Sequence, residues 1–206
     1  PKPDGLAHAF VIGEEFIASS NVALVLGDNI FYGQNLASNL KNAMKNPGAT
    51  VFTYQVSNPE DFGVLNLGKN KEILSIEEKP KNPSTNLAIT GLYFYDDKVI
   101  DYAKSIKPSS RGELEISSIN NLYLKDKKLN IEQLGRGYAW LDTGTYNSLI
   151  EASQFIEIIQ KRQGLKVACL EEIAFNNGWV SSEKVLEQAS IFNKTEYGEY
   201  LSKLIK

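Results

Sequence analysis

Val22-Ala23-Leu24-Val25-Leu26-Gly27-Asp28-Asn29 is an apolar run of strand length that closes on a glycine and an aspartate. A second run of the same kind, Tyr138-Ala139-Trp140-Leu141-Asp142-Thr143-Gly144-Thr145, follows Gly135-Arg136-Gly137 and again ends on an aspartate. Both read as buried strands. In an open α/β sheet the ligand crevice lies beyond the carboxyl ends of the strands, where acidic side chains can hold a divalent cation against phosphate oxygens. The pair points to nucleotide chemistry.

Working outward from the first run, Asp4 is placed to cap a helix carrying Leu6, Phe10, Phe16 and Ile17, with Gly13 as its weak point. Leu36, Leu40, Ala43 and Met44 predict a short helix stopped by Pro47-Gly48, and 49–56 a β-branched and aromatic strand. The order α-β-α-β favours a wound sheet. Antiparallel pieces enter after Pro59: 63–67 and 72–78 flank Gly68-Lys69-Asn70-Lys71, a hairpin turn, and 87–95 is a further strand with Gly91 inside it. At Gly91 the missing Cβ permits a bulge or the close approach of a ligand. Helices are predicted over 98–106 and 115–124, strands over 129–134 and 138–141. Thr145 caps a long helix whose buried face is Leu149, Ile150, Ala152, Phe155, Ile156 and Ile159. From about Gln163 the pattern is helical only, and there is no internal repeat, low-complexity tract or flexible linker.

With 206 residues the chain can bury a substantial core. Its formal net charge of −3 and the lack of a dense basic stripe exclude a nucleic-acid partner from the expectation. Cys169 is the single cysteine, so no intramolecular disulfide forms, and no apolar stretch approaches the roughly 20 residues that span a bilayer. A reducing cytoplasm without membrane attachment is the expected setting. The chain opens on Pro1-Lys2-Pro3-Asp4-Gly5 with no initiator methionine, and is read as a cut chain.

An aspartate after a strand is often only a turn former or helix cap. Two of them, each after a long apolar run and each in a Gly-rich turn, carry more weight, because magnesium prefers one or two carboxylates plus substrate phosphates to an all-protein cage. Glu77-Glu78-Lys79-Pro80 ends a strand; Pro80 is expected to hold Lys79 extended, and only one of Glu77 and Glu78 can share a pocket with it. A solvated charged turn is the bland alternative. Arg111 precedes a predicted helix and either grips a phosphate or pairs with Glu113 or Glu115. Tyr93, Tyr95 and Trp140 form an aromatic wall or simply core. His8, the only histidine, reads as structural. No zinc-spaced Cys/His cluster and no Ser-His-Asp arrangement stands out.

Taken together, Asp4-Gly5-Leu6-Ala7, Leu26 to Gly33, Glu77-Glu78-Lys79-Pro80, Thr90 to Asp96, Arg111-Gly112-Glu113-Leu114-Glu115-Ile116 and Gly135 to Thr145 closely resemble the sugar-1-phosphate nucleotidylyltransferases, nearest to the glucose-1-phosphate thymidylyltransferase subgroup. The resemblance runs in order over nearly the whole chain. It implies a Rossmann-like α/β fold with a mixed, mainly parallel sheet flanked by helices, an antiparallel hairpin region and a C-terminal helical segment. Residues 1–162 would be a truncated nucleotidyltransferase domain and 163–206 a helical segment packed on it.

The resemblance further implies Mg²⁺-dependent reaction of dTTP with glucose 1-phosphate, giving dTDP-glucose and pyrophosphate by in-line attack on the α-phosphorus. On it, Asp28 and Asp142 hold the metal, and Lys79 and Arg111 the sugar phosphate. Gly5 and Leu6 line the base and sugar pocket beside Gly27, and Gly63, Glu78, Ile89, Gly91 and Tyr93 shape the hexose site, backed by Trp140. Phe62 departs from the tyrosine often found at its position. A homo-oligomer, tetrameric in relatives, and an allosteric nucleotide sugar at the helical tail are also implied.

One family feature has no counterpart in these residues. The Gly-x-Gly-Thr-Arg loop that wraps the triphosphate, and the lysine after it, belong upstream of Pro1, together with a first strand and its helix. Each lost electrostatic contact to a transition state costs roughly 3 kcal/mol, so their absence is expected to remove about 10⁴ in rate. The uncovered sheet edge would favour self-association. Three other readings stay open. One is a non-catalytic regulatory homologue that binds nucleotide sugar. Another is a metal-dependent glycosyltransferase, whose two aspartates usually lie one residue apart. The last is a purely structural module.

Overall fold

Leu87–Tyr95 is rich in β-branched and aromatic residues and is buried along most of its nine residues, which requires neighbours on both edges and both faces. The computed structural model describes residues 4–205, and in it this segment is the central strand of a six-stranded sheet. The elements in chain order are α1 (His8–Ile12), α2 (Glu14–Ile17), β1 (Val22–Val25), β2 (Asn29–Gly33), α3 (Leu36–Ala43), β3 (Ala49–Gln55), β4 (Gly63–Leu67), β5 (Ile73–Glu78), β6 (Leu87–Tyr95), α4 (Val99–Ser105), α5 (Ile116–Lys125), β7 (Leu129–Gln133), β8 (Tyr138–Asp142), α6 (Tyr146–Gln163), α7 (Leu170–Asn176), α8 (Ser182–Ile191) and α9 (Glu196–Leu204).

The sheet runs β5-β4-β6-β3-β7, with β1 also on β6. Phe94 pairs with Thr50 of β3 and with Ala23 of β1, and Ala88 pairs with Tyr54 of β3 and with Val64 of β4. A strand has only two edges, so β1 and β4 share one edge of β6 end to end while β3 takes the other. The expected α/β class with a mixed sheet flanked by helices holds. The expected parallel majority does not: among the described strands only β3 and β7 pair in parallel. The turn at Gly68–Lys71 reverses the chain from β4 to β5, the connection from β5 to β6 steps over β4 and keeps the same sense, and the long route through α4 and α5 brings β7 back antiparallel to β6 and hence parallel to β3.

Alternation along β6 divides the core. Ile89, Tyr93 and Tyr95 face a cluster with Phe10, Val99, Ile119 and Tyr123 of the helices, whereas Leu92 and Phe94 face Phe52, Leu134, Leu40 and Ala43. Phe10 meets Tyr95 edge-on at 5.3 Å. The first helix differs from expectation. Gly13 splits it in two, Ala7 takes the position before its first turn with no side-chain cap, and Phe16 is exposed. Asp4 does not cap; its carbonyl accepts from Leu114 N–H at 2.7 Å.

The chain divides into two compact units, Pro1–Leu149 and Ile150–Lys206. The division falls inside α6, upstream of the 162/163 boundary suggested by the sequence, because the helical pattern is continuous through it. Thr145 caps α6 as expected: its hydroxyl accepts from Ser148 N–H at 3.1 Å, and Ser148 Oγ accepts from Thr145 N–H at 3.1 Å. The expected buried face is only partly so, with Ala152 buried but Leu149 and Ile150 exposed. In the second unit Cys169, Val185, Ala189 and Leu201 form a small core under α7, α8 and α9. No described helix is long and apolar enough to cross a membrane.

Candidate active site

Because β1 and β4 lie end to end on β6, a gap opens where β1 has finished and β4 has not begun, opposite Ile89 to Gly91. A cleft of about 210 Å³ occupies this place, lined among others by Leu6, Gly63, Glu78, Lys79, Ile89, Gly91, Tyr93, Arg111, Trp140 and Asp142. That is smaller than the ~300–1,000 Å³ of a cleft for a drug-sized ligand and suits a single sugar ring. Gly5, Gly27 and Asp28 do not line it. Gly5 has φ +107°, and a Cβ on it would lie 2.6 Å from Leu114 N and O, so its glycine serves close packing against the segment that carries Arg111. Gly27 is open, with nothing within 4 Å of a Cβ.

A two-stranded ribbon, whose second strand the sequence predicts over 138–141 and whose first it leaves as loop, brings the two aspartates together. β2 pairs antiparallel with β8, with Asn29 opposite Asp142, and Thr143 donates from N and Oγ1 to the carbonyl of Asp28 at 2.8 and 2.9 Å. One oxygen of each carboxylate is held: Asn29 Nδ2 donates to Asp28 Oδ1 at 3.0 Å, and Gly144 N–H to Asp142 Oδ1 at 2.9 Å. A Cβ on Gly144 would lie 3.0 Å from Asp142 Oδ1 and 3.7 Å from Asp28 Oδ2, so the glycine keeps open the space that both carboxylates border. Among the described residues no cluster of three or more His, Cys, Asp or Glu side chains could hold a metal. Two carboxylates and an open cradle nevertheless fit magnesium, which completes its shell with water and substrate phosphate.

Asn29 ties this ribbon to the sheet. Its Oδ1 accepts from Gly91 N–H at 2.9 Å and from Trp140 Nε1 at 2.6 Å, while its Nδ2 holds Asp28. Gly91 thus lies where β6 shifts register against β3, between Ile89 and Tyr93, and lines the cleft, while its missing Cβ admits the Asn29 side chain. Trp140 is further backed by Phe62, with ring centroids 5.0 Å apart.

Across the cleft Arg111 stands among three carboxylates: Glu113 at 3.4 Å, Glu115 at 3.6 Å and Glu78 at 3.8 Å. Both sequence alternatives for its pairing are realised, with Glu78 as a third partner. Glu78 faces the cleft while Glu77 is exposed, as strand alternation requires. Burial, then the Glu115 carboxylate, raise the pKa of Glu78 above its ordinary value. Gly63 sits opposite it in register, where a Cβ would come within 3.3 Å of Glu78 Oε2. Burial, and then the charge of Glu78, push the Tyr93 hydroxyl up, so it stays protonated.

Lys79 departs from expectation. Its φ is +44°, not extended, because its N–H continues the hairpin by donating to Phe62 O at 3.0 Å and the chain turns at Lys79 itself. Sequence reasoning assigned no role to Asn29, Asp61, Ser117 or Asn120, all of which line the cleft. Asn29 stands next to Asp28 in the quoted motif, but its partners are distant in sequence.

Two carboxylates border an open space beside a cleft lined by a lysine and an arginine, a set of side chains that can take up a cation and phosphate groups. The nucleotidyl transferase family model matches residues 1–158. The chain belongs to the nucleotidyl transferase family. Glucose-1-phosphate thymidylyltransferases of Neisseria meningitidis (serogroup A, serotype 4A) and Neisseria gonorrhoeae are 57% and 55% identical to it, over 100% of this chain and 72% of each relative. A crystal structure from Bacillus anthracis, described as a candidate glucose-1-phosphate thymidylyltransferase in complex with a sucrose, is 41% identical. It superposes with a TM-score of 0.66 over 75% of this chain and 62% of that one. This nucleotidyl transferase chain thus spans about seven-tenths of its curated relatives' length.

Proposed function

We propose that the intact protein transfers a thymidylyl group from dTTP to glucose 1-phosphate, giving dTDP-glucose and pyrophosphate. What carries the reading is the convergence of Asp28 and Asp142 on one open cradle at the edge of the cleft that holds Lys79 and Arg111. A phosphate oxygen of the sugar phosphate attacks the α-phosphorus; that P–O bond forms as the bond to the bridging oxygen of pyrophosphate breaks. Asp28 and Asp142 would hold magnesium, which when bound would supply charge neutralisation for the phosphate oxygens.

The protein's own part is positioning. Glu78, Tyr93 and the backbone at Gly63, Ile89 and Gly91 shape the hexose pocket. Arg111 leaves one of its carboxylates to take the phosphate, and Lys79 takes the same group from the other side. Leu6 and Trp140 close the cleft against water. The Gly-rich triphosphate loop of the resemblance has no counterpart in these 206 residues, so on their own they bind sugar phosphate and cation without measurable turnover. A homo-oligomer and a nucleotide-sugar effector at the helical tail belong to the same reading; exposed Leu170 and Trp179 supply apolar surface there.

The test is pyrophosphate release by the intact protein with dTTP, glucose 1-phosphate and magnesium. Asp28→Asn and Asp142→Asn should each lower kcat/KM by ~10²–10³ and weaken Mn²⁺ binding measured by electron paramagnetic resonance. Full activity in both variants would overturn the assignment.

A further inference from the structure

Among the described residues, three buried side-chain polar atoms have no hydrogen-bond partner: Thr53 Oγ1, Thr90 Oγ1 and Asn120 Nδ2. The two threonines belong to β3 and β6, and their hydroxyls can rotate. Asn120 is different. It is fully buried, it lines the cleft, and its amide cannot turn freely because Oδ1 accepts from the Tyr95 hydroxyl at 2.6 Å. Tyr95 is itself fixed, stacked on Tyr93 at 6.1 Å and on Tyr123 at 5.5 Å. The amide nitrogen, with two protons to give, is the part of Asn120 left unsatisfied at the cleft floor.

An unmade hydrogen bond in a buried place favours whatever brings an acceptor to it. The same cleft is lined by Glu78, Tyr93 and Ser117, which stands one helical turn before Asn120 and hydrogen-bonds the Glu78 carboxylate. A sugar hydroxyl is both donor and acceptor, so one hydroxyl can give its proton to Glu78 and receive one from Asn120.

We propose that Asn120 is a specificity-determining residue whose Nδ2 donates to one hydroxyl oxygen of the hexose, so that the cleft rejects sugars lacking that hydroxyl. This rests on the sugar-phosphate reading of the cleft. A site that hydrogen-bonds a hydroxyl discriminates strongly against the analogue without it, because its own polar groups are then left unpaired.

The experiment compares kcat/KM of the intact protein for glucose 1-phosphate and its 2-, 3-, 4- and 6-deoxy analogues, in wild type, Asn120→Ala and Asn120→Ser. Wild type should lose ~10-fold or more on one analogue. Asn120→Ala should lose that factor on glucose 1-phosphate and nothing further on that analogue, while the other analogues scale with the parent. A merely structural role would lower all five substrates alike, and unchanged discrimination overturns the proposal. If wild type accepts none of the five, the sugar-phosphate reading itself falls and this proposal with it. Should neither variant fold, a crystal structure of wild type with glucose 1-phosphate decides. A ligand oxygen within 3.2 Å of Nδ2 supports the proposal, and a water or nothing there overturns it.

Discussion

Asn29 and Gly91 leave no room for a methyl group between them: a Cβ on Gly91 would lie 2.4 Å from Asn29 Oδ1, the same atom that accepts the Gly91 N–H at 2.9 Å. The contact joins the ribbon carrying both aspartates to the central strand. Gly91→Ala must push Asn29 aside, and Leu26 Cδ1, 2.8 Å away, blocks the alternative. We expect Gly91→Ala to cost about 1–3 kcal/mol through overpacking and Asn29→Ala about 1–3 kcal/mol through unpaired donors on Gly91 and Trp140. The double variant should lose less than the sum, since one change removes the other's obstacle. Urea midpoints of the four proteins check this; strict additivity would refute the staple.

Gly144 borders the two carboxylates without touching the core. Gly144→Ala places a methyl 3.0 Å from Asp142 Oδ1 and 3.7 Å from Asp28 Oδ2. The φ of Gly144 lies outside the left-handed region, so the backbone tolerates the change. The expected outcome is about a 10-fold loss in divalent-cation affinity, in the range of second-shell effects on metal sites, with a nearly unchanged melting temperature. Titration with Mn²⁺ followed by water relaxation measures the first and calorimetry the second. Equal cation affinity would mean that the cradle lies elsewhere.

How much of this was legible in advance depends on the distance over which each feature is decided. Val22 to Leu26, the hairpin around Gly68 to Lys71 and the strand 87–95 announce themselves through apolar runs and turn residues, which are local signals. Asn29 to Gly33 does not. It opens on a turn-like Asp-Asn, ends on glycine, and becomes a strand because Tyr138 to Asp142, more than a hundred residues later, pairs with it. The two aspartates could be paired through their like positions at strand ends but not through the ribbon that joins them, and the hub role of Asn29 stayed hidden because Gly91 and Trp140 are equally remote. Phe16, Leu149 and Ile150 show the opposite failure: helical spacing marks an apolar face but not whether anything covers it. Lys79 shows that a preference for extended backbone before proline yields to a hydrogen bond that fixes the turn one residue earlier.

Glu78 couples the cleft to pH. Burial, and then the neighbouring Glu115, raise its pKa from the ordinary 4.5. The folded protein therefore keeps the Glu78 proton to higher pH than the unfolded chain does. Its stabilising contribution is complete below the unfolded value and is lost as pH rises through the folded one. Glu78→Gln is neutral throughout, and Arg111 retains Glu113 and Glu115 as partners. The variant should be more stable than wild type at about pH 7 and lose that advantage toward about pH 4, while losing sugar-phosphate binding. A stability difference that does not change with pH in urea titrations would contradict this.

The left-handed backbone of Lys79 separates stability from function in a single residue. An L-residue at φ +44° meets a steric penalty of about 1–2 kcal/mol that glycine escapes. Glycine gives back about 0.5–1 kcal/mol in unfolded-state entropy, which leaves a net gain between about 0 and 1.5 kcal/mol. The Lys79 N–H bond to Phe62 O survives the substitution. Lys79→Gly should accordingly match or exceed wild type in urea midpoint while kcat/KM for glucose 1-phosphate falls by ~10² or more, the amine having been the reason to hold a strained residue there. Lys79→Ala separates the two effects: it keeps the strain and loses the amine, so it should share the activity loss and show no gain in stability. If Lys79→Gly is markedly less stable than Lys79→Ala, the backbone at this position is not strained, and the link between the turn and the phosphate site is broken.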